Sequence, residues 1–244
     1  MRIALIADTF PPHRSSGAIQ LRDLSRAFVR QGHVLTVLLP SPNQKFSWVL
    51  EEVDGAQLLR LKSPRTKDIS YVRRTFAEFL MPFAMQIQFR KSPLYDEKWD
   101  GIVWYSPSIF HGPFVRVLKK NCNCKSYLII RDIFPEWAAD MELIRRGIAY
   151  WFFDAIARYQ YSLADVIGVQ TVGNLHYFKR WKRKPGRSLE VLQNWLANPA
   201  QKQCSIRISD TSLKGRKILV YAGNMGVAQG IDILLDLAER LRYR

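Results

Sequence analysis

The chain has 244 residues, enough for one large domain or two small ones at about 100–200 residues each. A hydrophobic fraction of 48% supports a sizeable core and excludes a disordered chain. The formal net charge of +16 points to an anionic partner, whether nucleic acid, an anionic membrane or a phosphorylated substrate, without choosing among them.

The apolar run at residues 3–6 reads as a strand, residues 8–16 as an irregular loop, and the stretch up to Gly32 as an amphipathic helix followed by a strand at 34–39. That order is the opening βαβ unit of a doubly wound α/β sheet, in which ligands lie beyond the carboxyl ends of the strands. In the helix, Leu21, Leu24 and Phe28 share one face while Arg22, Arg26 and Arg30 share another, and Gly32 suits a C-terminal residue with positive φ. The loop is stiffened by Pro11-Pro12. Ser15 or Ser16 can cap the helix, and the same free N–H groups can hold a phosphate beside Arg14 and Gly17.

A third strand is expected at 57–61, after a polar segment that shows no function. Residues 71–91 are basic and aromatic with broadly helical spacing, and Pro82 is expected to kink them. They read either as core-packing helix or as an amphipathic surface for a membrane or a lipid-linked substrate. The longest apolar stretch, 76–85, holds Glu78 and Pro82 and falls short of the roughly 20 residues that span a bilayer. Strands follow at 102–105, 127–130 and 166–169, with a long aromatic helix expected at 143–163 and read as core. The basic cluster Lys179, Arg180, Lys182, Arg183, Lys184 and Arg187, interleaved with Tyr177, Phe178 and Trp181, is either a solvated face or a contact for anionic headgroups or phosphates.

A strand at 189–192 should close the first domain at residue 193, with a linker at 194–215. A second βα start is then expected at 216–244: a strand at 218–222, a glycine-rich turn, and a helix at 231–241 with Ile231, Leu234, Leu235 and Ala238 inward. The turn contains Gly223, Asn224, Gly226, Gln229 and Gly230 between strand and helix, where backbone without Cβ atoms can approach an anion. It is neither GxGxxG nor GxxxxGK[ST].

Arg131, Asp132 and Glu136 follow a strand directly and should crowd the same carboxyl edge, either as cap and first turn or as a ligand-contacting loop. His111 lies near the same edge. No histidine pair has metal-ligand spacing and no Asp-x-Asp occurs, so no metal is expected. The three cysteines fit neither a disulfide framework nor a zinc site and read as reduced thiols. With a strand at the very N-terminus in place of a secretory signal, a cytoplasmic location is expected.

Three stretches together resemble the retaining glycosyltransferases of family 4: residues 3–6 with the Pro-Pro to Gly17 loop and Gly32-His33-Val34, then Arg131-Asp132-Ile133-Phe134-Pro135-Glu136, and then Tyr221 to Gly226 with Gln229-Gly230. The last two look most like the O-antigen and capsule branch that includes N-acetylfucosamine transferases. The resemblance implies a two-domain GT-B fold, with an acceptor-binding first domain and a second that binds a nucleotide sugar, here truncated after its first βα unit. It implies front-face transfer with retention, in which the departing diphosphate takes the acceptor proton, and no cofactor, the donor substrate being a UDP-linked sugar. By that likeness Asp132 and Glu136 are the catalytic candidates. Arg14, Ser16, Gly17, His111 and Arg131 would bind the acceptor, and Gly223, Asn224, Gly226, Gln229 and Gly230 the donor diphosphate. The family's frequent Arg and Lys stand here as the neutral Asn224 and Gln229, and its glycine pair as Ser16-Gly17. The expected partners are a lipid-linked saccharide of lipopolysaccharide or capsule synthesis and the anionic inner face of the plasma membrane, with the chain peripheral there. An inactive membrane-associated scaffold is the alternative. No nucleic-acid-binding motif is present, so nucleic acid is not an expected partner.

Overall fold

The computed structural model describes residues 1–197, 206–223, 225 and 229–241, and the chain divides into a unit from Met1 to Ala197 and a unit from Asn198 to Arg244. In the first unit β1 (Arg2–Ile6), α1 (Ser16–Arg30) and β2 (Val34–Ser41) form the expected βαβ start. Ser15 is the helix cap, its side chain accepting from the Ala18 N–H, and Gly32 has φ of 77° just past the helix end.

The chain continues through β3 (Trp48–Val53), β4 (Ala56–Lys62), α2 (Tyr71–Phe89), β5 (Gly101–Ser106), α3 (Gly112–Cys122) and β6 (Lys125–Ile130). It then forms α4 (Glu136–Asp140), α5 (Ile148–Ser162), β7 (Val166–Val169), a 3-10 turn at Val172–Phe178, α6 (Lys179–Lys182) and β8 (Ser188–Val191). The strands make one eight-stranded sheet in the order β3-β4-β2-β1-β5-β6-β7-β8. Every pairing is parallel except β3 with β4, an antiparallel edge hairpin.

Alternation along β1 gives each face of the sheet its own core. Ala4 and Ile6 pack with Met81, Met85 and Phe89 of α2 and Phe114 of α3, while Ile3 and Leu5 pack with Leu21 of α1. From β1 the chain winds first to β2 and later to β5 on the other side, so the winding reverses between β1 and β5. A crevice at such a reversal is where doubly wound sheets bind ligands.

α2 extends from Tyr71 to Phe89 with Pro82 inside it. Two expectations change. The aromatic helix begins at Ile148 rather than 143, because Gly147 takes an extended conformation and serves as its N-terminal cap position. That helix is also not all core: Tyr150 is buried, whereas Ile148, Trp151 and Phe152 are exposed.

Residues 192–197, partly assigned to a linker from sequence, run back over α1: Trp195 Nε1 donates to the Gln20 carbonyl at 2.8 Å and Ala197 N–H to Asp23 at 3.1 Å. In the second unit the described elements are a 3-10 turn at Ile208–Asp210 and α7 (Ile231–Leu241). Residues 218–222 form no strand, and α7 buries none of its residues, contrary to the inward face expected for Ile231, Leu234, Leu235 and Ala238. The physical reason is shared: an extended segment becomes a strand only with a paired neighbour, and among the described residues of this unit no strand is present for the helix to cover with its apolar stripe.

A polar cluster ties α3 to the strands beside it. Lys119 Nζ lies 2.7 Å from Asp165 Oδ2, and the Ser126 N–H donates to the same oxygen at 2.8 Å. Burial acts to raise the Asp165 carboxyl, but the hydrogen bonds from Lys119 and Ser126 prevail and leave it below its ordinary value. A carboxylate depressed in the folded state stabilises fully above its unfolded pKa, and that contribution disappears as pH falls through the folded value. Asp165→Asn is therefore expected to cost about 1–3 kcal/mol at neutral pH and to flatten the acid limb of stability below about pH 4. Urea melts across a pH series test this; an unchanged acid limb would refute it.

The thiols of Cys122 and Cys124 are free, and burial with the neighbouring Cys122 pushes the Cys124 thiol up to about 11, keeping it a poor nucleophile. Cys204 lies outside the described residues.

Candidate functional site

At the reversal point the carboxyl end of β1 leads into residues 7–15 and that of β5 into residues 107–111. These two connections bring Asp8 and His111 together: Asp8 Oδ1 lies 2.7 Å from His111 Nε2. His111 is fully buried at the start of α3, whereas the Asp8 side chain keeps 24% of its exposure. A ligand arriving in the crevice therefore meets Asp8 first, with His111 behind it. Sequence reasoning named His111 and passed over Asp8, although an Asp directly past the first apolar strand was a readable signal.

Glu78 of α2 lies within electrostatic reach of both groups, and burial raises its carboxyl against the opposing hydrogen bond and charge of Arg74. Asp8 and His111 thus meet at the reversal point, with Glu78 within electrostatic reach of the pair.

A second set of groups continues along the strand ends. Arg131, at the end of β6, donates to the Leu192 carbonyl at 3.1 Å and stacks over Trp195 at 4.6 Å. Burial lowers its pKa and the Tyr105 hydroxyl beside it acts in the opposite direction. Two of its guanidinium nitrogens, Nε and one terminal nitrogen, are buried with no hydrogen-bond partner. They are donors held ready for an acceptor atom. Tyr105 also explains Gly17, which is buried: a Cβ there would meet the Tyr105 hydroxyl oxygen at 3.2 Å. The structure thus gives Gly17 a packing role, letting α1 approach β5.

Asp132 stays accessible and lines a cavity of about 210 Å³ with Arg131, Ile133, Trp137, Asp140, Asn174 and Tyr177. The surrounding protein nonetheless raises its carboxyl by desolvation, which Arg131 opposes. Glu136, expected beside Asp132, points elsewhere. Desolvation raises its carboxyl too, and its charged neighbours are Asp154, Arg158 and Asp140, so it belongs to the α4–α5 interface. Its Oε2 is buried without a hydrogen-bond partner.

Arg14 and Ser16 are exposed in the first connection, and an Arg60 terminal nitrogen donates to the Pro11 carbonyl at 3.4 Å, tying that connection to β4. In the second unit Gly230 has φ of 58° immediately before α7, a conformation that favours glycine, and Gly223 and Gln229 lie on the same connection. Asn224 and Gly226 lie outside the described residues. Among the described residues, no three His, Cys, Asp or Glu side chains come together to hold a metal ion.

No family model matches the chain. It is 25% identical over 132 residues to a protein of Pseudomonas aeruginosa described as "Probable glycosyltransferase WbjE", covering 52% of this chain and 32% of that one. Among solved structures it is similar to a sucrose-phosphate synthase from Thermosynechococcus elongatus, with a TM-score of 0.52 and 14% identity, over 78% of this chain and 47% of that one. It is also similar to an α,α-trehalose-phosphate synthase (UDP-forming) from Burkholderia xenovorans, with a TM-score of 0.51 and 12% identity, over 75% and 43% of the two chains. The chain thus spans about a third of the curated relative and less than half of these two solved ones. The fold is a mostly parallel, Rossmann-like α/β sheet of the kind found in GT-B glycosyltransferases.

Proposed function

We propose that this chain is the acceptor-side portion of a retaining GT-B glycosyltransferase that transfers a sugar from a nucleotide-sugar donor, UDP-linked, to a lipid-linked saccharide of lipopolysaccharide or capsule synthesis. The observation that carries the reading is the crevice at the β1/β5 reversal, with Asp8 backed by a buried His111. The partial likeness to the probable glycosyltransferase WbjE supports it.

In this reading Asp8 and Asp132 accept hydrogen bonds from acceptor hydroxyls and orient the attacking oxygen. The partnerless donors of Arg131 bind an oxygen of the same saccharide. The departing diphosphate takes the acceptor proton, so no protein base is required. The connection before α7, with Gly223, Gln229 and Gly230, supplies N–H groups for that diphosphate. The acceptor is amphiphilic, so the work is done at the cytoplasmic, anionic inner face of the plasma membrane, where a net charge of +16 favours attachment.

The test is transfer of labelled sugar from UDP-sugars to extracted lipid-linked saccharide by the complete gene product that carries this chain. Asp132→Ala is expected to reduce turnover about tenfold or more, since a misplaced reactant costs up to about 10²-fold. No transfer from any nucleotide sugar, or undiminished turnover by the variant, would reject the corresponding assignment.

A further inference from the structure

α2 carries two apolar stripes where the fold uses one. Met81, Met85 and Phe89 point into the core, and Val72, Phe76, Phe79, Leu80, Phe83 and Ile87 form a second stripe on the solvent side. Exposure is substantial: Phe76 is 65% exposed. The stripe continues onto the first turn of α5, where Ile148 is 93% and Trp151 59% exposed and Phe152 meets Phe79 at a ring separation of 6.5 Å. Between the helices lies an apolar cavity of about 310 Å³, walled by Phe79, Phe83, Phe110, Pro113, Ile156 and Tyr159. Scattered apolar residues on a surface need no explanation, but a contiguous aromatic ridge with a groove does.

Cations frame the ridge. Arg73, Arg90 and Lys91 stand at the two ends of α2 and Arg145 just before α5, all exposed and without an ion pair to a described residue. Arg74 and Arg146 beside them are paired, with Glu78 and Asp140. No helix of the described residues is long and apolar enough to cross a membrane, so the ridge is a surface and not a span.

We infer that the α2–α5 ridge inserts into an anionic phospholipid monolayer, with its aromatic side chains among the acyl chains and the flanking arginines and lysine at the headgroup phosphates. Charge selects this occupant over a second copy of the chain. Two copies brought ridge to ridge would set these unpaired cations against each other, whereas an anionic surface neutralises them. The apolar side chains also select this ridge over the basic stretch after β7, whose lysines and arginines other than Arg187 are likewise exposed. There Phe178 is buried and Trp181 packs against the core with Arg187 stacked 4.9 Å over it, so that stretch offers Tyr177 but no apolar ridge to insert.

The inference rests on the lipid-linked acceptor only for its purpose, and its test contains no nucleotide sugar. The 244-residue chain is mixed with phosphatidylglycerol vesicles or phosphatidylcholine vesicles and separated by flotation. Binding is expected at least about tenfold stronger to the anionic vesicles and weakened by salt. The double variant Phe76→Ser with Leu80→Ser should lose about tenfold or more of it with an unchanged thermal melt, since both side chains are exposed. Arg73→Glu with Lys91→Glu should abolish the preference for anionic lipid. Unchanged partitioning in both variants overturns the inference. So does sedimentation showing a dimer that the serine variant dissolves, which would assign the ridge to a second copy. A chain that floats with vesicles while the complete gene product transfers no sugar would fail the proposed function and leave this inference standing.

Discussion

Asp8→Asn is expected to lower sugar-transfer turnover by about 10²-fold in the complete gene product, with little change in the KM for the nucleotide sugar. The substitution keeps the shape of the side chain and replaces one carboxylate oxygen by an amide nitrogen, which changes what the group presents to an acceptor hydroxyl and to His111 Nε2, 2.7 Å from Asp8 Oδ1. In the proposed function Asp8 touches the acceptor and the donor is held by other residues, so the loss belongs in kcat and in the acceptor's KM. His111→Gln should move turnover in the same direction through Asp8, because His111 itself is fully buried. If Asp8 served folding alone, both variants would lower the melting temperature and leave the kinetics of the folded fraction intact. Steady-state kinetics with either substrate varied, beside a thermal melt, separate the two cases.

The parallel strands were legible because their signal is local. Residues 3–6, 127–130 and 166–169 are compact apolar runs, and each occupies a strand in the sheet. β3 was missed for the opposite reason: Trp48–Val53 is an edge strand, largely exposed and carrying Glu51 and Glu52, so it lacks a core-facing pattern. The readable signal there was the turn. Asp54 and Gly55, with φ of 53° and 78°, are the Asp-Gly pair that closes a two-residue hairpin.

At the candidate site the sequence placed Arg131 and Asp132 at a strand end, where the structure has them, because position after a strand is a local property. The direction of Glu136 was not legible, since α5 decides it from about twenty residues away, through Asp154 and Arg158. The burial of His111 behind Asp8 likewise depends on two strands adjacent in the sheet and distant in sequence. Residues 218–222 show the same limit: a continuous apolar run with β-branched Ile218 and Val220 suits a strand, but pairing has to come from elsewhere.

The largest stability effect is expected from Phe114→Ala, about 3–5 kcal/mol, because the site is both fully buried and rigidly walled. Phe114 is 0% exposed and meets Phe89 of α2 edge to face at 5.7 Å, within the core cluster that also holds Trp104, Leu118 and Leu128. Truncation removes the ring and leaves a cavity that sheet and helix backbones on either side cannot close. A loss of that size is a large share of the 5–15 kcal/mol typical of a folded protein and should lower the melting temperature by about 10 °C. Phe76→Ala is the matched control on the same helix pair: equal chemistry, removed from the exposed stripe, expected within about 0.5 kcal/mol of the unaltered chain. Urea unfolding of both variants decides between two accounts of α2. If the two variants cost the same, Phe76 is held by packing as Phe114 is, and the outer stripe is part of the core. If only Phe114→Ala destabilises, the outer stripe contributes nothing to folding in water and is free to bind a surface.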